Sequence, residues 1–304
     1  MVGFFKSNGD RRRLGGRQSE TDRPFDGRVG DEEIREALHG AIDRFFDRLS
    51  GKSKQQGAAA ALDGSTVSTG DAAPGTLPGM MRALGDVDDL AWGRYILDTD
   101  MLRDKIKEDE ADVLIAGAQE CGREWADRVV RQYGSRDPIE IAAQLGVSVG
   151  SNTAPMSGRR ALFAQYVPGN ADNSSYAGRI EVMSDPLNRY GILRNQLVEG
   201  DPSVDDLLPT PVYIRTLLLA HELFHALEDR NESSIYTRTT TISLWKICGK
   251  ENRSTVRSLG EIGAGAFAQA LIGSSFCPFA LDILMMWAYD SATSQAIYDA
   301  VRQH

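Results

Sequence analysis

Cysteine is scarce and unpaired. Cys121, Cys248 and Cys277 lie far apart and form no Cys-x-x-Cys motif, which removes the basis for a disulfide framework or a thiolate zinc site. They read instead as buried free thiols of a reducing compartment. Positive charge is not in excess either. The formal net charge of −9 argues against a general nucleic-acid binder, and no direct nucleic-acid partner is expected. Long apolar runs are missing. The strongest near the C-terminus, Phe279 to Tyr289, is too short to span a bilayer and contains Asp282. The basic residues near the N-terminus are followed by no apolar signal core. These absences predict a soluble, cytoplasmic protein with no membrane span. Histidine is rare as well, but two of the four stand four residues apart.

Those two lie in Leu217-Leu218-Leu219-Ala220-His221-Glu222-Leu223-Phe224-His225-Ala226-Leu227. Residues four apart share one face of a helix, so His221 and His225 can bind one metal ion together. Zinc suits the pair, because imidazole nitrogen is among its preferred ligands. Glu222 stands beside them, placed to take a proton from a water activated by that metal. The surroundings favour a helix. Thr210 is positioned as N-cap and Pro211 as first helical residue, and the helix is expected to run to about Arg230, with Asn231 at its end. Ile214, Leu217, Leu218, Phe224 and Leu227 give it a core-facing stripe.

The rest of the chain divides by composition. Residues 1–30 read as a disordered tail, and residues 31–49 as an amphipathic helix striped by Ile34, Leu38, Ile42, Phe45, Phe46 and Leu49. A Gly/Ala/Ser-rich linker then runs to about residue 80. The main domain is expected over residues 81–304. Helices are predicted over about 86–108, 109–133, 139–145, 186–197, 254–272, 279–288 and 294–301. Val147-Ser148-Val149 reads as a brief strand, and Ala161–Val167 with Arg179–Ser184 as an antiparallel pair across a long loop. Residues 232–252 read as a loop or short irregular region beside the site. The expected class is therefore α+β: a mostly helical, zincin-like domain with a small antiparallel or mixed sheet. In zincin-type peptidases an edge strand of such a sheet often binds the extended substrate.

A catalytic zinc usually has three protein ligands and a water. The extended metzincin pattern needs Gly at position 228 and His at 231, where this chain has Glu228 and Asn231. A carboxylate from a downstream helix is the remaining common solution. Glu261 is preferred, because Gly260, Gly263, Ala264, Gly265 and Ala266 let its helix approach another closely. Three glycines there are costly, at about 1 kcal/mol each relative to Ala, and imply a packing reason. Glu228 and Glu232 remain alternatives, and Glu251 reads as solvent-exposed. Tyr236 and Tyr289 are candidates to stabilise an oxyanion, though aromatics more often fill cores.

Three segments in order resemble the ImmA/IrrE family of metallopeptidases. "DPIEIAAQLGVSV" (137–149) resembles the helix-turn-strand that opens the family domain, "RTLLLAHELFHALED" its active-site helix, and "EIGAGAFAQALI" its Glu-x-x-Ala-x-x-Phe-Ala segment. The resemblance covers about residues 110–290. It implies a zinc-dependent endopeptidase of gluzincin type, with His221, His225 and Glu261 as metal ligands and Glu222 as general base. It also implies a protein or peptide substrate, often a helix-turn-helix repressor. Where that class often carries Asp, four residues after the ligand Glu, this chain has Gly265, so a group that orients the ligands has to come from elsewhere. Two other readings stand beside this one. One is a zinc-containing regulatory binding protein with little or no proteolysis. The other is an effector peptidase whose target is not a repressor.

Overall fold

A computed structural model describes residues 75–154, 162–169, 178–248 and 250–304. The expected tail, the amphipathic stretch 31–49 and most of the expected linker lie outside them. The first helix, α1 (Leu77–Leu84), nonetheless begins within the expected linker. Thr76 caps it by accepting from the Gly79 amide, and Pro78 sits in its first turn, where its missing N–H costs nothing.

The region expected to be helical over 86–108 is broken. Helix α2 (Asp89–Asp98) is capped by Asp88 and followed only by a 3-10 turn at Arg103–Lys105. The break has a local cause: the Thr99 hydroxyl donates to the Ile96 carbonyl and Asp100 accepts from the Leu102 amide, both in place of helical bonds. Helix α3 (Glu108–Tyr133) starts with three acidic residues at its positive end and stops at Gly134, whose φ of 68° suits glycine. Helix α4 (Pro138–Gln144) follows, capped by Asp137.

Strands β1 (Ser148–Asn152), β2 (Ala164–Val167) and β3 (Arg179–Met183) form one mixed sheet in the order β1-β3-β2. β2 and β3 pair antiparallel, as their patterning suggested, while β1 runs parallel to β3. Helix α5 (Ser184–Gly200) leads by a 3-10 turn to α6 (Pro211–Arg230), the helix carrying both histidines. A single helical turn, α7 (Tyr236–Thr239), then opens onto a second sheet, the hairpin β4 (Thr241–Ile247) and β5 (Lys250–Thr255). This corrects the reading of residues 232–252 as loop. The hairpin escapes detection because β5, Lys-Glu-Asn-Arg-Ser-Thr, is exposed along nearly its whole length and so carries no apolar alternation. Helix α8 (Ser258–Ile272) accordingly starts later than expected, and α9 (Ala280–Trp287) and α10 (Ser291–Val301) close the fold.

The architecture is α+β and mostly helical. Its centre is α6, where Ile214, Leu217, Leu218, Leu219, Leu223, Phe224 and Leu227 are all buried. A helix apolar around most of its circumference must be surrounded, and burying each Leu contributes about 1.5–3 kcal/mol. Helix α8 packs against both α3 and α6. The glycines explain how closely. A Cβ at Gly122 of α3 would stand 2.2 Å from the Gly263 carbonyl oxygen, and one at Gly263 would stand 3.0 Å from the Phe224 ring. A Cβ at Gly265 would meet the Phe279 ring at 2.6 Å. The expectation of a packing reason for these residues is met. Among the described residues no helix is long and apolar enough to cross a membrane.

Candidate metal centre

Helix α6 is set as its sequence suggested. Thr210 accepts from the Tyr213 amide at its start, and the Asn231 side chain donates to the Leu227 carbonyl at its end, 2.8 Å away. One helical turn separates His221 from His225, so both rings project from the same face. Their Nε2 atoms lie 3.3 Å apart. Glu261, in the first turn of α8, completes a triangle. Its Oε2 is 3.1 Å from His221 Nε2, and its Oε1 is 3.6 Å from His225 Nε2. The close packing of α6 on α8 through glycine and alanine brings this carboxylate so near.

These separations are a test of fit. Ligand atoms about 2.0–2.1 Å from one tetrahedral ion lie ~3.3 Å from each other. The separations of the two nitrogens, and of His221 Nε2 from Glu261 Oε2, fall near that value, the second Glu261 oxygen stands slightly farther from His225 Nε2, and one donor atom from each residue lies within 4.8 Å of the others. The donor set, two imidazole nitrogens and one carboxylate oxygen, is one that zinc accepts. His221, His225 and Glu261 could therefore hold a metal ion.

Glu222 lies against the same cluster and is 2% exposed. Its Oε2 accepts the backbone N–H of Tyr166 at 2.8 Å, while Oε1 is buried with no hydrogen-bond partner among the described residues. Tyr166 belongs to β2, one of the two edge strands of the mixed sheet among the described residues. Its hydroxyl donates to Asp229, 3.2 Å away, so it is joined to α6 at both its backbone and its side chain. This edge strand thus runs beside the candidate base.

The alternative ligands are elsewhere. Glu232 and Glu251 are exposed, and Glu251 pairs with Arg253 at 2.9 Å. Glu228 is buried but approaches the other nitrogen of His225: its Oε2 is 2.8 Å from Nδ1. Burial would lift the Glu228 carboxyl, yet the bonds from His225, Arg238 and Thr237 hold it below the ordinary carboxylate range. Burial also works against charge on His225, but Glu261, Glu228 and Glu222 outweigh it and raise this imidazole to about 9. In the metal-free protein these carboxylates therefore favour a positive charge where an ion would bind.

The two tyrosines considered for an oxyanion are engaged otherwise. The Tyr236 ring occupies the space over Gly117, where a Cβ would meet it at 2.4 Å, and the Tyr289 hydroxyl donates to Asp185 at 2.6 Å. Sequence reasoning missed the Tyr166 amide, which no side-chain pattern can reveal, and the contact of Glu228 with Nδ1. The latter had a signal in its spacing, three residues after His225 on the same helix.

No family model matches the chain, and no curated protein or solved structure matches it.

Proposed function

We propose that this protein is a zinc-dependent endopeptidase. The observation that supports the reading most is the convergence of His221 Nε2, His225 Nε2 and the Glu261 carboxylate, with 3.3 Å between the two nitrogens, 3.1 Å from His221 Nε2 to Glu261 Oε2 and 3.6 Å from His225 Nε2 to Glu261 Oε1, beside a Glu222 carboxylate with one oxygen that has no partner among the described residues. A zinc ion held by those three residues would supply Lewis acidity toward a scissile carbonyl. The other steps belong to the chain itself. Glu222 Oε1 takes a proton from the attacking water, and Glu222 then returns it to the leaving amine nitrogen. The Tyr166 amide holds Oε2 in place while Oε1 works. Strand β2, at the edge of its sheet and next to Glu222, is the element on which an extended peptide would lie.

The resemblance to ImmA/IrrE metallopeptidases supports the same reaction and makes a helix-turn-helix repressor the first substrate to try. The test is incubation of the full chain with unfolded polypeptides and with repressors of that type. Cleavage that a chelator abolishes and zinc restores is expected. Cleavage indifferent to the chelator, or none with zinc saturating, would contradict the reading.

A further inference from the structure

Glu228 is 1% exposed and belongs to none of the roles assigned above. A carboxylate withdrawn from water is costly unless it is hydrogen-bonded and matched by positive charge. Here it is both. Its Oε2 meets His225 Nδ1 at 2.8 Å and Arg238 Nη2 at 3.4 Å, and its Oε1 accepts the hydroxyl of Thr237, itself 2% exposed. The Glu261 helix leaves room for it. A Cβ on Gly260 would stand 3.1 and 3.3 Å from the two carboxylate oxygens. Glu228 thus touches three elements at once: its own helix, the α7 turn and the start of α8.

The two histidines are not supported alike. Among the described residues His221 Nδ1 is buried with no hydrogen-bond partner, while His225 Nδ1 faces Glu228. The two ring nitrogens of an imidazole point apart, so a carboxylate bound at Nδ1 does not share an ion with Nε2. It sets the tautomer instead, because an acceptor at Nδ1 keeps the proton there and leaves the Nε2 lone pair free.

We propose that Glu228 is the positioning residue of this metal site. It holds the Nδ1–H of His225 so that Nε2 faces His221 and Glu261, and Thr237 and Arg238 of the α7 turn hold Glu228 in turn. The inference rests on the metal reading above. It also answers the question raised by Gly265: the orienting carboxylate comes from the His helix itself, three residues after its second ligand.

The test compares zinc affinity, measured by competition with a chromophoric chelator, and the visible spectrum of the cobalt-loaded protein. The full chain is used as wild type, Glu228→Ala, Glu228→Gln, Thr237→Val and, as a ligand-loss control, Glu261→Ala. Glu228→Ala should bind about one zinc per chain with affinity lowered about 10–100-fold, and with a cobalt spectrum shifted in energy but still four-coordinate in intensity. Glu228→Gln still offers an acceptor to Nδ1–H and should recover most of the affinity. Thr237→Val should lose several-fold. Wild-type affinity and spectrum in Glu228→Ala would overturn the proposal, as would a loss of intensity like that of Glu261→Ala, which would make Glu228 a ligand. If Glu228→Ala does not fold, Thr237→Val decides: unchanged affinity there overturns the proposal. Wild type that takes up no zinc would instead overturn the metal reading, and this inference with it.

Discussion

The backbone amide of Tyr166 donates to Glu222 across 2.8 Å, tying an edge strand of the mixed sheet to the residue after the first histidine. That bond occupies one carboxylate oxygen and leaves the other buried without a partner among the described residues. A buried acceptor without a partner costs about 1–3 kcal/mol. Such a cost is commonly kept where the group has chemistry to do. In the proposed mechanism the arrangement would separate two functions on one side chain, with Oε2 positioned by the strand and Oε1 left for the proton.

Glu222→Gln should therefore fold and load metal like wild type, because the amide oxygen still accepts the Tyr166 N–H. It should lose hydrolysis by about 10²–10⁴-fold, the range general-base catalysis supplies. Turnover of an unfolded protein substrate, measured beside zinc content, checks both halves. Undiminished turnover would remove Glu222 from the base role.

Stability should respond to pH through His225. Its imidazole is raised from 6.5 to about 9 in the metal-free folded protein. A raised value means that the folded state holds the proton more tightly than the unfolded state. That contribution is complete below pH 6.5 and is lost as the pH climbs to about 9. On the proposed metal reading a zinc ion bound at His225 Nε2 would have to displace this proton, so its apparent affinity should rise with pH over the same window, by up to about tenfold per unit. The gap in melting temperature between zinc-saturated and chelated protein should widen from pH 6.5 to 9. A constant gap would contradict the coupling.

Packing of α3 on α8 makes a separate prediction. In Gly122→Ala the new Cβ would lie 2.2 Å from the Gly263 carbonyl oxygen and 2.8 Å from the Phe267 nitrogen, both backbone atoms. Alanine gains about 1 kcal/mol of helix propensity, but overpacking costs about 1–3 kcal/mol and a fixed backbone yields little. Melting should fall by a few degrees. Gly150→Ala, with nothing within 4 Å of its Cβ, should stay within about 0.5 kcal/mol of wild type.

Thiol reactivity should single out one cysteine. The expectation of three buried thiols holds for Cys121 but not for Cys248, which is exposed at the turn of the β4–β5 hairpin, and Cys277 is half-buried. Burial raises the thiols of Cys121 and Cys277, which disfavours the reactive thiolate. A disulfide reagent should modify the native protein in one fast step, and Cys248→Ser should abolish that step. A fast step that survives the substitution would contradict the assignment.

Where burial and chemistry coincided in a local pattern, the sequence was readable. The His helix is the clearest case: its cap, its first-turn proline, its apolar stripe and its end all lie within one stretch, and the observed bounds are Pro211–Arg230. The small residues of α8 announced close packing, because glycine inside a helix needs a reason. Features that depend on what lies across the fold were not readable. The β4–β5 hairpin offers little burial to betray it, and Cys248 was misjudged with it. Glu228 could be counted as a ligand candidate from its spacing. Only the three-dimensional arrangement shows that it faces Nδ1 of His225 while Glu261 faces Nε2.

The central claim is that His221, His225 and Glu261 together bind one zinc ion. Metal content of the purified full chain, measured for wild type, His221→Ala and Glu261→Ala, tests it most directly. The account predicts about one zinc per wild-type chain and loss of most of it in both variants, in keeping with a three-residue catalytic-type site. Wild type that binds no zinc when it is supplied, or Glu261→Ala that retains it at full affinity, would contradict the account.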